Sequence, residues 1–236
     1  MNHPFDAAQD LKDAPHVGTR MRPKDAATLI VTRTAGARTE VLMGRRAAGH
    51  VFMASKWVFP GGRIDPSDFR IEATGDLPQP SQALLAREMP ARRARALALA
   101  AIRETFEETG LRLARPAPPA AVAGPWRSFR AIGALPDLSA LTYIARAVTP
   151  PGRTRRFDAR FFMADAAALL DVPPARPTEE LDEVAWVPLD EARILDLPAI
   201  TRFVLGEVEA RLDQRSRPLP YVRQLHGRHR VEYLEE

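Results

Sequence analysis

The sequence predicts an α/β domain built on a mixed β-sheet, and three observations carry that reading. Short β-branched apolar stretches recur in pairs separated by turn residues, the pattern of hairpins. One long alanine-rich stretch has apolar residues three and four apart, the spacing of a helix face. A late strand is followed by two further helical stretches, so strands and helices interleave along the chain. The 236 residues suit one large domain, or one domain with extensions, and 45% hydrophobic content is enough for a buried core.

Residues 1–22 are polar and aperiodic and read as an N-terminal arm. "AATLIVTR" (26–33) and "TEVLMGRR" (39–46) are strands joined by the turn "AGAR" (35–38), which makes a hairpin. "KWVFPGG" (56–62) is a short strand closed by Pro60, Gly61 and Gly62, read as a breaker. Asp, Pro, Ser and Gly then dominate, which marks a surface insertion over about 69–90 with a short helix near Ser81–Arg87. Pro90 opens a helix over 91–109 and Gly110 stands just past its end. Leu99, Ile102 and Phe106 form the apolar stripe of that helix. "LTYIARAV" (141–148) and "RRFDARFFMA" (155–164) are strands joined through "PPG" (150–152), and "EVAWVPL" (183–189) is another. "DEARIL" and "PAITRFVLGEVEARLDQR" are closing helices. The main domain is thus placed at 23–217, followed by a tail, 218–236, that reads as one more extended piece. No internal repeat is present.

Composition narrows the chemistry. With no cysteine, disulfides, thiolate zinc sites and a cysteine nucleophile are excluded. No apolar run reaches the roughly 18–20 residues of a membrane span, and "MNHPFDAAQDLKDAPHVG" lacks the apolar core of a signal peptide. The expectation is a soluble, cytoplasmic protein. The net charge of +4 comes almost wholly from arginine, the only lysines being Lys12, Lys24 and Lys56. No basic stripe is interleaved with aromatics, so nucleic acid is not the expected partner. Trp57, Trp126 and Trp186 read as core or pocket walls, with base stacking by Trp126 as the alternative.

One stretch breaks a local rule. "AIRETFEETG" (101–110) sets Glu104, Glu107 and Glu108 within about 100° on the last helical turns. Like charges at i, i+4 weaken a helix, and carboxylates at the C-terminal end oppose its dipole. Such a violation points to a functional site. A hard divalent cation, Mg²⁺ or Mn²⁺, would turn the repulsion into coordination and bridge to phosphate oxygens. The alternative is a solvated acidic face.

"RETFEETGL" (103–111) resembles the second half of the Nudix box, G-x5-E-x7-R-E-U-x-E-E-x-G-U, through Arg103, Glu104, Glu107, Glu108, Gly110 and Leu111, with Thr105 at the first aliphatic position. "FPGGRIDPSD" (59–68) resembles the first half, Gly62 taking the leading glycine and Asp68 standing where the family has Glu. Residues 69–102, 34 in all, fill a gap that spans seven in the family. Asp68, returning across the gap, or Glu88 is the candidate for the box acid. The long insertion, "VLMGRRAAGHVFMASKWVFPGG" (41–62) and "RRFDARFFMA" resemble the coenzyme A diphosphatase-like Nudix subfamily. Its coenzyme A signature is met only in part: Arg46 and Ala47 match, while Val51 and Ser55 replace an Arg and a Gly.

The resemblance implies a Nudix-type α/β/α sandwich with a mixed sheet and a helical insertion within the box. It also implies a Mg²⁺- or Mn²⁺-dependent diphosphatase acting on a small nucleoside diphosphate derivative, coenzyme A-like among others. Glu104, Glu107 and Glu108 would be metal ligands, joined by the Gly62 carbonyl. Glu107 and Glu104 would also be the catalytic glutamates, with Arg103 bracing the cluster. Glu179, Glu180 and Glu183 are candidates for a general base on a distant loop. Arg45, Arg46 and Arg156 are candidates for phosphate contacts, since arginine forks suit phosphate oxygens. A homodimer is compatible with this fold. Two other functions stay open: a non-catalytic nucleotide sensor, suggested by the long gap and Asp68, and an RNA-end diphosphatase, suggested by the basic balance.

Overall fold

The computed structural model describes residues 5, 21–47, 49, 54–171, 178, 180–214 and 216–235. The expected hairpin forms from β1 (Lys24–Ala35) and β2 (Arg38–Arg46). Its two-residue turn has Gly36 at φ 62°, the first central position, where glycine costs least. β3 (Trp57–Val58) pairs with the end of β2. The glycine pair expected to break the chain instead forms a strand, β4 (Gly61–Arg63), against β1, with Thr28 opposite Gly61 and Ala27 opposite Gly62. The reason is space: a Cβ on Gly61 would lie 2.6 Å from the Ala27 carbonyl oxygen and 2.7 Å from Thr28 Cα. Glycine is there for close approach, and neither Gly61 nor Gly62 has a positive φ.

The insertion contains α1 (Gln79–Ala86), and α2 (Ala91–Thr109) follows with the predicted bounds. Gly110 takes the left-handed C′ position at φ 78° and its N–H donates to the Phe106 carbonyl at 2.8 Å, a standard helix stop. Residues 112–140, to which periodicity assigned nothing, hold a two-stranded sheet of β5 (Ala114–Pro116) and β6 (Ala134–Pro136) around the short helix α3 (Arg127–Ala131). β7 (Thr142–Val148), β8 (Phe157–Asp165) and β9 (Leu181–Pro188) follow as expected, then α4 (Leu189–Ala192) and α5 (Ala199–Asp213).

The residues set apart above as a tail form β10 (Leu219–Leu225) and β11 (Arg228–Leu234) of the same sheet. They cannot be a separate tail, because Leu219 and Val222 are buried in the core. Among the described residues the main sheet has the order β11-β10-β7-β8-β1-β2-β3, with β4 beside β1 and β9 beside β2. It is mixed: β1 with β8 and β7 with β10 are parallel, whereas β1 with β2 and β7 with β8 are antiparallel.

Alternation along β1 sorts the core into two layers. Leu29 and Val31 pack toward Leu97, Ala101 and Ile102 of α2, while Ile30 packs toward Val204 and Val208 of α5. β1 is covered on both faces, which is why it reads as a nearly continuous apolar run. Residues 96–103 of α2 are all buried, so this helix is enclosed on more than the one face its apolar stripe suggested. Its four alanines in that run keep the surrounding elements close. No helix among the described residues is long and apolar enough to cross a membrane.

Candidate active site

Arg103, 4% exposed, is the hub of the site and uses all five of its N–H groups. Nε donates to Asp68 Oδ1 at 2.9 Å and Nη2 to Asp68 Oδ2 at 3.1 Å. Nη2 also donates to the Arg63 carbonyl at 2.8 Å, while Nη1 reaches Glu104 Oε1 at 2.8 Å and Glu107 Oε2 at 2.9 Å. Burial works against the Arg103 charge, but the bond to Asp68 and the charges of Glu104, Asp68 and Glu107 outweigh it and raise its pKa.

Asp68 returns across the 34-residue gap to pair with Arg103. It lies at the end of a 3₁₀ turn over Pro66–Phe69 that Asp65 caps: Asp65 Oδ1 accepts from the Ser67 N–H, and Asp68 Oδ2 accepts from the Asp65 N–H at 2.7 Å. The D-P-S-D spacing of a capping box was the available signal for this turn. Glu88 is committed elsewhere, accepting from Tyr143 Oη at 2.9 Å and from Arg160 Nη2 at 3.1 Å. Trp126 donates its indole N–H to Asp68 Oδ1 at 2.8 Å, a link that no local sequence pattern signals.

Glu104 and Glu108 lie against β4, and Glu107 joins Glu104 through Arg103. A Cβ on Gly62 would lie 2.5 Å from both carboxylate oxygens of Glu104. Glu108, buried, accepts one hydrogen bond, from the Gly61 N–H at 3.1 Å. Burial raises the pKa of Glu104 and Glu107 against the pull of Arg103. It raises that of Glu108 furthest, helped by Glu104 and opposed by Arg46. These are carboxylates short of positive charge, the electrostatic condition a cation relieves. Among the described residues no three acidic or histidine side chains are grouped so as to hold a metal ion, and Glu104 and Glu107 bond instead to Arg103.

A cavity of about 1230 Å³ opens at Glu104, lined among others by Gly62, Arg63, Arg103, Arg46 and Glu180, whereas Glu107 and Glu108 do not line it. The candidate residues divide as follows. Arg46 faces the cavity and Arg45 does not, because neighbours on a strand point to opposite faces. Arg45 instead pairs outside with Asp182 at 3.0 Å and Glu183 at 3.3 Å. Arg156 is tied to the Thr149 and Met21 carbonyls, at 3.0 and 2.5 Å, and does not line the cavity. Of the base candidates Glu180 lines the cavity and its charge acts on Glu104 and Glu108. Glu183 is held by Arg45, and Glu179 lies outside the described residues, as do Val51 and nearly all of the arm.

A hydrolase fold with these box residues has known relatives. No family model matches the chain. A crystal structure of a NUDIX hydrolase from Alicyclobacillus acidocaldarius superposes with a TM-score of 0.65 at 29% identity, covering 80% of this chain and 91% of that one. The chain has the Nudix hydrolase fold. Among curated relatives, acyl-coenzyme A diphosphatase NUDT19 of Gallus gallus is 28% identical in a 197-residue alignment, covering 62% of this chain and 52% of the relative. The chain therefore spans about half the length of that curated relative.

Proposed function

We propose that the chain hydrolyses a phosphoric anhydride bond in a nucleoside diphosphate derivative with a divalent cation bound, and that a coenzyme A-like diphosphate is the first substrate class to test. One observation carries the reading: Arg103 gathers Asp68, Glu104 and Glu107 beside a glycine strand and a large cavity, with Glu108 and Glu180 adjoining. The similarity to an acyl-coenzyme A diphosphatase supports the substrate class.

The donor set fits Mg²⁺ or Mn²⁺, being carboxylate and carbonyl oxygen throughout. Glu104, Glu107 and Glu108 would hold the ion, with the Gly62 carbonyl beside them. When bound, it would neutralise diphosphate oxygens and favour ionised water near neutral pH. The chain's own residues supply the rest. Glu180 accepts the proton of the attacking water as its oxygen bonds to phosphorus. The bridging P–O bond breaks and its electron pair leaves with the departing phosphate. Arg46 contributes positive charge at the cavity wall, where a diphosphate oxygen would dock. Arg103 stays structural, because its donors are all committed.

The paired bonds between Asp68 and Arg103 support Asp68 as the box acid and weaken the case for an inert sensor. The test is mass spectrometry on a panel of nucleoside diphosphate derivatives with Mg²⁺ and Mn²⁺. The expected result is release of a nucleoside monophosphate-type product from at least one member, abolished by a chelator. Glu104→Gln and Glu180→Gln are each expected to lower kcat by about 100-fold or more, within the range of lost acid–base groups. A panel left wholly intact in both metals would overturn the reading.

A further inference from the structure

Resting on that reading, we infer that Trp126 is a positioning residue of the site: its indole N–H fixes Asp68, and through Asp68 fixes Arg103 and the two glutamates that Arg103 holds. Asp68 is fully buried and takes two donors on each oxygen. Oδ1 accepts from Arg103 Nε at 2.9 Å and Trp126 Nε1 at 2.8 Å; Oδ2 accepts from Asp65 N at 2.7 Å and Arg103 Nη2 at 3.1 Å. Trp126 is the only one of these donors that comes from outside the box.

The long gap makes such a donor necessary. In the ordinary box seven residues tie the acid to the Arg, and the short chain limits where the acid can go. Here 34 residues intervene, and a loop of that length holds its ends only loosely by connectivity. Contacts have to replace the constraint. Trp126 is 0% exposed and packs edge-on against Phe129 with centroids 5.2 Å apart; Phe129 packs edge-on against Phe106 at 5.1 Å. Phe106 lies on α2 between Glu104 and Glu107. The indole is thus anchored by ring contacts to the same helical turn whose charges it orders through Asp68. It does not line the cavity, so it acts on the chemistry only through Asp68.

Trp126→Phe keeps an aromatic ring in the core and removes the N–H. The expected result is a fall in kcat of about 10- to 100-fold, the range seen when an outer hydrogen-bond partner of a metal site is removed, with KM changed less than about twofold. Phe162→Leu, a buried change in β8 away from the relay, is expected to lower stability and leave kcat in place. In the Asp68→Asn background, Trp126→Phe is expected to cost nothing further in kcat, since both act through one carboxylate. In the metal-free protein, NMR should show the Arg103 Nε–H exchanging with solvent at least about tenfold faster in Trp126→Phe, because its acceptor is no longer fixed. Wild-type exchange in that variant, or costs that add in full to those of Asp68→Asn, would overturn the inference. If the wild type hydrolyses nothing and the exchange effect persists, the inference stands and the proposed reaction fails.

Discussion

Arg103 shows how much one residue can decide. A guanidinium with five committed donors cannot be exchanged for an ammonium with three, although both carry the same charge. In Arg103→Lys, Asp68 would lose its two-pronged partner while remaining fully buried, and Glu104 and Glu107 would lose their shared anchor. Breaking a buried charge network of this kind costs about 3–5 kcal/mol. Urea titration should show that loss, and a cost below about 1 kcal/mol would mean the network is slack. Arg45→Lys is the contrast: its pairs with Asp182 and Glu183 are 40% or more exposed, so its cost should stay within about 0.5 kcal/mol. Both arginines were candidates in the sequence, and composition could not rank them. The ranking comes from the pleat of β2, which turns Arg46 toward the cavity and Arg45 away, and from the burial of Arg103.

At the scale of elements, what was legible depended on length. β1, β2 and α2 are long enough for two-fold or helical periodicity to show, and α2 emerged with its predicted ends. β5 and β6 have three residues each and α3 has five, too few for a period, so the segment carrying Trp126 stayed invisible. The box halves were legible as a resemblance, whereas the return of Asp68 to Arg103 needed the fold. The role of the glycine pair was misread for a related reason: two adjacent glycines look like a breaker when no partner strand is known. The structure separates their duties. A Cβ on Gly61 would meet β1 backbone, so Gly61→Ala should cost about 1–3 kcal/mol through overpacking. A Cβ on Gly62 would meet the end of a side chain, Glu104, which can swing away. Gly62→Ala should therefore keep most of the stability and lose most of the activity. Melting and turnover measured on both variants test this, and a Gly62→Ala enzyme with wild-type kcat would show that Glu104 does not need its present position.

On the scale of the whole molecule, the sandwich stabilises a cluster that is unfavourable by itself. The two core layers hold β4 and α2 so closely that Glu104, Glu107 and Glu108 lose water without gaining equal positive charge, and all three pKa values are raised. A raised carboxylate binds its proton more tightly in the folded state than in the unfolded one. Its contribution to stability is therefore complete below the unfolded value of about 4.3 and is lost as pH climbs through the higher folded value. Other acids run the opposite way: Asp65 and Asp137 have lowered values and contribute stability above the ordinary aspartate range. The glutamate effect is best isolated by comparison with Glu108→Gln, a neutral side chain of similar shape. Without metal, the variant should gain on the wild type between pH 5 and pH 8, because the wild type has one more buried carboxyl to ionise there. With excess Mn²⁺ at pH 8 the order should reverse, since an ion that binds only the folded wild type adds stability by mass action. For a chain of this size 1 kcal/mol moves Tm by about 2–4 °C, so melts at two pH values, with and without Mn²⁺, can read both signs. A Glu108→Gln protein that tracks the wild type in all four conditions would mean that Glu108 neither strains the fold nor holds the ion.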